Sequence, residues 1–504
     1  MASDAVGSEL VSKVVGYKIA KGDFSNVSPN LPQKVVIIGQ ANTGITTDTD
    51  EFQFTDAYAV GLKFGFGSPL HQSARILRPA NGSGIGGIPT SILAQEEPVG
   101  AVAKEFSITV TGTATTDYLL DIKINGRSSV DGRSYTVSVV TGDVNTVIAG
   151  KINDAINNAI LVCPFTSTVA AGVVTAEARV AGEVSEDYNI TVTPLSTTAV
   201  TYAIASTATG SGVPAVTASL SKIGNKWATI ILNTYQFNAT KEVANELMAF
   251  NGIPDPNTPT GRFSGTVMKP FVAVTGSVED NDSAITDDML NDVTINMAPA
   301  PLSKGSPAEA AANWTLLLAR QLQDSPHLDI SGQSYPDMPT PANIGTMDVY
   351  ANRDIYVKKG NSTVKLVSGK YQVCDNVTTY HPLGETPPQF RYVRSLYGQD
   401  LNIKYGYSLL EEKYVENHAI AGDEDIVKVQ KVVKPKIWKS ILFNYADDLE
   451  KRAIITDSTF MTDSIVVGLS STNPDRLETS FKYKRSGYAR IAATTGTAGF
   501  NFGE

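Results

Sequence analysis

Histidine and cysteine are scarce in this 504-residue chain: four of the first and two of the second. Cys163 and Cys374 form no CxxC pair, so neighbouring thiols can build neither a zinc ribbon nor a dithiol redox motif; they read as free, buried thiols of a cytosolic protein. His71, His327, His381 and His418 have no second ligand at metal spacing, and neither HExxH nor GxSxG occurs. So thin a supply argues against acid–base or metal chemistry. No apolar run approaches the roughly 18 residues of a membrane helix. The opening MASDAVGSEL has neither a basic region nor an apolar one, and reads as no secretory signal. Positive charge is short too. Lys plus Arg number 41 against 51 Asp plus Glu, a net charge of −10, which argues against a general nucleic-acid binder. What is present is globular: 42% hydrophobic and 18% charged residues, enough for several cores. At roughly 100–200 residues per domain, three or four domains are expected.

Val35-Val36-Ile37-Ile38 reads as a strand buried on both faces. A helix follows over 56–64, then Arg75-Ile76-Leu77-Arg78 as a second strand, a β-α-β spacing that favours parallel pairing. From 101 to 220 the composition shifts to Thr, Ala, Val, Gly and Ser, with alternating strands at 106–110, 120–124 and 135–139. One helix, marked by Val147, Ile148, Ile152, Ile156 and Ile160, interrupts them, and strands resume near 173 and 188–192. The earlier pattern then returns: strands at 228–232, 271–274 and 293–297, a helix over 241–250, and a long helix opened by Ser306-Pro307-Ala308-Glu309 with a capping box. An α/β domain split by an inserted one is the expectation. In the last third, 348–375 predicts hairpins, 390–417 a helix weakened by Gly398 and Gly406, and 440–452 another helix. Strands at 464–467 and 477–483 flank the turn Asn473-Pro474.

Motifs that could carry chemistry fail on their details. Gly39-Gln40-Ala41-Asn42-Thr43-Gly44 follows a strand as a phosphate loop does, but Ile45 stands where the cation is needed. Gly82, Gly84 and Gly87 satisfy GxGxxG, yet Pro89 follows where a helix should begin. The acidic stretches 48–50 and 279–282 lack the glycine and terminal glutamate of a calcium loop. Catalytic, cofactor and metal residues are therefore expected to be absent. Lys428, Lys431, Lys434, Lys436 and Lys439 concentrate positive charge in an acidic chain; this is either a solvated face or a contact with an acidic partner.

Both chain ends carry strand-like pieces detached from any core. Leu10, Val11, Val14, Val15 and Tyr17 precede the glycine- and proline-containing linker 22–32, and Tyr488, Arg490 and Ile491 lead into a Gly/Thr/Ala tail. A strand without its own sheet needs another edge, which a neighbouring copy can supply. This points to an assembling structural protein and not to an enzyme.

In this arrangement the chain resembles the contractile tail sheath proteins of myophages, particularly the Mu-like group. The likeness rests on Lys34-Val35-Val36-Ile37-Ile38-Gly39-Gln40 with Phe64-Gly65-Phe66-Gly67-Ser68-Pro69-Leu70, and on Gly132-Arg133-Ser134-Tyr135-Thr136-Val137 with Asp187-Tyr188-Asn189-Ile190. It continues through Asn296-Met297-Ala298-Pro299, Thr378-Thr379-Tyr380 and Ser470-Ser471-Thr472-Asn473-Pro474-Asp475-Arg476-Leu477. The resemblance implies a virion-tail protein, assembled in the host bacterial cytoplasm as stacked hexameric rings around an inner tube. It would contract to drive the tube through the host envelope for genome ejection. The implied partners are other copies, the tube protein, and baseplate and terminator proteins, with no nucleic acid, membrane or cofactor.

The fold expected is α/β and α+β multidomain. Residues 1–31 form an arm and linker, with the linker as hinge, and 32–100 plus 221–345 a split α/β core. Residues 101–220 form an outward-facing α+β insert. Residues 346–487 form a tube-proximal C-terminal domain, its sheet completed by neighbours' arms, and 488–504 a C-terminal arm. Lys431, Lys434, Lys436 and Lys439 are the candidate tube contact. The alternative is a non-contractile structural or adhesion protein with a binding module at 101–220, and an α/β nucleotide enzyme ranks behind it.

Overall fold

The computed structural model describes residues 29–47, 50–237, 240–498 and 500. The described residues divide into two compact units, one spanning 31–402 with 487–498, the other 403–486 with 29–30. It is a mixed α/β multidomain protein.

In the first unit, β-branched runs buried on both faces build one sheet. Its order is Ile295–Pro299, Val272–Ser277, Ile230–Asn233, Val35–Gln40, Thr90–Gln95 and Phe52–Gln53. The first five are parallel and the last is antiparallel. All residues of Val35–Gln40 and Val272–Ser277 are buried, as a parallel sheet covered by helices requires. One cover is the helix Pro307–Asp324, opened by the Ser306/Glu309 capping box with Pro307 in the first turn. Its Trp314 is fully buried and donates from Nε1 to Asn296 Oδ1 at 2.6 Å. Both sheet edges are closed. Asn296 bridges to Thr378, whose neighbour Thr379 donates to the Ile295 carbonyl, while Phe52–Gln53 is a two-residue stub.

One expected strand is a helix. Residues 75–78 lie in and just after the helix Pro69–Leu77, capped by the Ser68 hydroxyl with Pro69 in its first turn. The cap chemistry outweighs the short apolar run Ile76-Leu77. The parallel neighbour of Val35–Gln40 on that side is instead Thr90–Gln95, reached through the glycine loop. The helix Ala57–Phe64 forms as the pattern predicts, with Asp56 as its cap.

Segment 103–208 makes its own sheets. Four strands pair in the order Thr201–Ala208, Ala103–Thr111, Val173–Ala181, Phe165–Ala170, and three in the order Ile190–Pro194, Tyr118–Ile124, Val137–Val139. The helix Asn145–Asn158 buries Ile148, Ile152 and Ile156. These strands share one hydrophobic cluster with Val36, Ile38 and Leu93 of the six-stranded sheet, so segment and sheet form one compact unit. Farther on, 348–375 holds the helix Tyr350–Lys358 as well as the hairpin Thr363–Val367/Lys370–Asp375. Tyr371 of that hairpin is buried and donates to the Pro301 carbonyl at 2.8 Å. This stretch therefore packs with the first unit, and the second begins at Ile403 and not near 346.

The helix expected over 390–417 runs as a π-helical stretch, Arg394–Asp400, continued by Leu401–Tyr414. Its two glycines mark close approaches. A Cβ on Gly398 would lie 2.6 Å from the Pro326 carbonyl oxygen, and one on Gly406 2.6 Å from the Tyr445 hydroxyl. In the second unit, Pro435–Lys451 buries Trp438, Leu442, Tyr445 and Leu449. Tyr445 donates to the Ile403 carbonyl at 2.7 Å, and Trp438 meets Tyr407 edge-on, centroids 5.8 Å apart. Strand pairing here is sparse: Ala419–Ile420/Val432–Val433, Ile455–Thr456/Lys484–Arg485 and Val466–Leu469/Leu477–Ser480, each two-stranded.

Candidate assembly surfaces

The hairpin Val466–Leu469/Leu477–Ser480 is antiparallel, with Val466 opposite Ser480 and Leu469 opposite Leu477. Ser470 N–H donates to the Arg476 carbonyl at 3.0 Å, and Asn473 supports the turn by accepting from Asp475 N–H. Because antiparallel pairs alternate, the bonded pairs continue through 468/478 and 466/480. The main-chain groups of Val467 and Leu469 then face out of one edge, and those of Leu477 and Thr479 out of the other. Among the described residues neither edge has a further strand. One face is fixed: Val467, Leu477 and Phe481 pack on the cluster of Trp438, Leu442 and Ile465. Val466, on the opposite face, is exposed.

The lysine-rich stretch is partly neutralised locally. Lys434 Nζ donates to the Asp423 and Asp425 carbonyls, and Lys436 pairs with Glu424 at 2.8 Å. Lys439 lies over the Phe443 ring at 5.6 Å. Lys431 is exposed in a left-handed conformation (φ +59°) beside the short strand Val432–Val433. Exposed Ile426 and Val429 share the loop with Lys428.

Leu10, Val11, Val14, Val15 and Tyr17 lie outside the described residues. The expected linker 22–32 is pinned at its far end. Leu31 is buried and donates to Asn402 Oδ1 at 2.8 Å, and Gln33 donates to Gln323 Oε1 at 2.8 Å. A hinge cannot extend through Leu31. At the other terminus, the side chains of Tyr488 and Arg490 stay with their own subunit: the Arg490 guanidinium stacks over Tyr392, 3.9 Å from its centroid, and lies 5.0 Å from that of Tyr488. Ile491 is 83% exposed, and 491–498 has no regular secondary structure.

The glycine loops have structural partners. Thr43 N–H donates to the Arg179 carbonyl and its hydroxyl accepts from Ala181 N–H, fastening the first loop to segment 103–208. Around Gly82–Gly86, Arg78 and Arg320 donate to the carbonyls of Gly86, Ile88, Ser83 and Gly84, so the loop presents acceptors to arginines. The adjoining cleft, about 540 Å³, is lined by His71, Arg75 and Asp131. Arg75 is held by Asp131 through bonds of 2.6 and 3.0 Å. Burial, reinforced by Arg75, lowers His71 to a pKa of about 3, so it is neutral and accepts from Gly67 N–H. Among the described residues no three His, Cys, Asp or Glu side chains are placed to hold a metal, and no helix is long and apolar enough to cross a membrane.

Over 459 residues, 89% of each chain, the sequence is 23% identical to the Mu-like prophage FluMu tail sheath protein of Haemophilus influenzae. The chain is similar to the Mu-like tail sheath proteins. No family model matches it. Among solved structures, the sheath tail protein of Desulfitobacterium hafniense aligns over 93% of this chain and 100% of its own, with 13% identity and a TM-score of 0.43. That of Listeria innocua aligns over 92% and 94%, with 13% identity and a TM-score of 0.44. The helical sheath of the anti-feeding prophage in its contracted state aligns over 97% and 99%, with 10% identity and a TM-score of 0.42. On this sheath-like chain, sequence reasoning missed the partners that hold the end of the chain, Asp329 and Tyr392. No local signal marks them, because they lie about 160 and 100 residues before Arg490 and only folding brings them together.

Proposed function

We propose that this chain is the structural subunit of a contractile tail sheath, stacking as hexameric rings around a tail tube and working without catalytic residues or cofactor. The observation that carries the reading is the similarity to a tail sheath protein over 89% of both chains. The hairpin, both of whose edges are open among the described residues, fits the same role. It offers main-chain donors and acceptors to strands from other copies, and residues 10–17 and the tail beyond Arg490 are the segments available to supply them. Such bonds are indifferent to side-chain identity and survive while the subunits turn. Contraction would draw on greater burial between subunits, about 2.5 kcal/mol for each further 100 Å² or so of apolar surface. Lys431 and Lys439, without carboxylate partners among the described residues, are the lysines best placed to meet an acidic tube. The assembled sheath would reside in the virion tail after assembly in the host bacterial cytoplasm.

Negative-stain microscopy of the purified protein tests this. Hollow helical tubes are expected, and a chain lacking residues 1–20 should remain a folded monomer. Discrete oligomers without helical order would instead favour an adhesion protein.

A further inference from the structure

The end of the chain is fastened to its own subunit at a prepared site. Asp329 has a fully buried side chain. Its Oδ1 accepts from Ile330 N–H at 2.8 Å and Asn376 Nδ2 at 2.9 Å, and its Oδ2 accepts from Arg490 Nη2. Ser331 lies at the limit of bonding to both, 3.5 Å from Oδ2 and 3.4 Å from Arg490 Nη1. The guanidinium is itself mostly buried, stacked on Tyr392 and flanked by Tyr488. Arg394 reinforces the same point: it donates to the Gly487 carbonyl at 3.3 Å and lies over the Tyr488 ring at 5.6 Å. One residue later, Ile491 is exposed.

A buried carboxylate needs a cation, and a planar, forked guanidinium both pairs and stacks where a lysine could only pair. The site thus selects arginine at one position of the tail.

We propose that Arg490 is the positioning residue of the C-terminal arm: it fixes the point where the arm leaves its subunit, so that only the chain beyond 490 can reach a neighbour, and it takes the pull that the neighbour exerts. The proposal rests on the sheath reading for the neighbour; the anchor itself is intramolecular and can be tested without assembly.

Limited chymotrypsin digestion of the dilute full-length chain tests the anchor, with cleavage after Tyr488 as the readout. In Arg490→Ala, the rate of that cleavage should rise about a hundredfold, the size of effect expected when a buried pair loses one partner. Melting should fall as well, because Asp329 stays buried without Arg490. Asp329→Asn combined with Arg490→Ala should regain much of the melting temperature while Tyr488 stays open to cleavage, which separates anchoring from general stability. An unchanged cleavage rate in either variant overturns the anchor. In assembled material the double variant should give tubes of broadened helical rise and diameter; wild-type order in those tubes overturns the positioning role. Absence of tubes from the wild type would instead count against the sheath reading and leave the cleavage result standing.

Discussion

The six-stranded sheet of the first unit and the hairpin of the second solve the same problem in opposite ways. The sheet closes itself: one edge is bridged by Thr378, the other ends in a two-residue antiparallel stub, and helices cover its faces. The hairpin packs one face on Trp438 and, among the described residues, leaves both edges open. Open edges are a hazard for a monomer and a resource for a polymer. The chain closes the edges of its central sheet, and on the proposed sheath reading the hairpin's edges are where strands of other copies pair.

The sharpest way to break this contrast is a proline that removes only an outward-facing donor. Leu469→Pro deletes a main-chain N–H that the hairpin does not use, so the variant should remain monomeric and folded by circular dichroism yet form no tubes. Tubes of wild-type abundance would mean that this edge takes no strand. Next in size, Trp438→Ala should cost about 3–5 kcal/mol, the usual range for emptying a buried aromatic site. The loss should fall on the second unit. Urea unfolding followed by exchange should show 403–486 opening early while the six-stranded sheet stays protected; simultaneous loss would mean that the two units unfold as one.

Last, and smallest per pH unit, is a pH dependence of the first unit. Burial, with Glu279, Glu186 and Glu183 nearby, raises Asp187 to a pKa of about 7; burial, with Glu279, raises Asp282 to about 7. Both groups bind protons in the folded state that the unfolded chain has released above about pH 4. Stability of the first unit should therefore fall as pH rises from about 4 to 7 and level off above, by at most about 1.4 kcal/mol per pH unit for each carboxyl. Asp282→Asn should flatten the melting-temperature profile in that window, and an unaltered slope would remove Asp282 as its source.

Much of this contrast was legible in the residues. Val35-Val36-Ile37-Ile38, four β-branched residues in a row, reads as a doubly buried strand, and Ser306 to Glu309 spells out a helix start. Asn473-Pro474 marked the hairpin turn that the register places between its strands. Residues 75–78 misled because four residues cannot distinguish strand from helix by period; the deciding signal, Ser68-Pro69, lay upstream. The boundary near 346 misled for another reason. Tyr371 joins the first unit through a hydrogen bond to Pro301, a tertiary choice with no local trace. Of the candidate surface, the sequence suggests strand-like tails, of which residues 10–17 lie outside the described residues and 488–498 form no strand, whereas the Asp329 socket for Arg490 exists only in three dimensions.

Glu309 does more than cap its helix. The same carboxylate accepts two bonds from Arg127, at 2.8 and 2.9 Å, and Arg127 reaches on to Asp337. With both side chains largely shielded from water, this clasp joins segment 103–208 to the helix that covers the sheet. Together with the shared hydrophobic cluster, the clasp ties the segment to its frame at two places, so a label or cargo spliced into it is expected to follow the orientation of that frame.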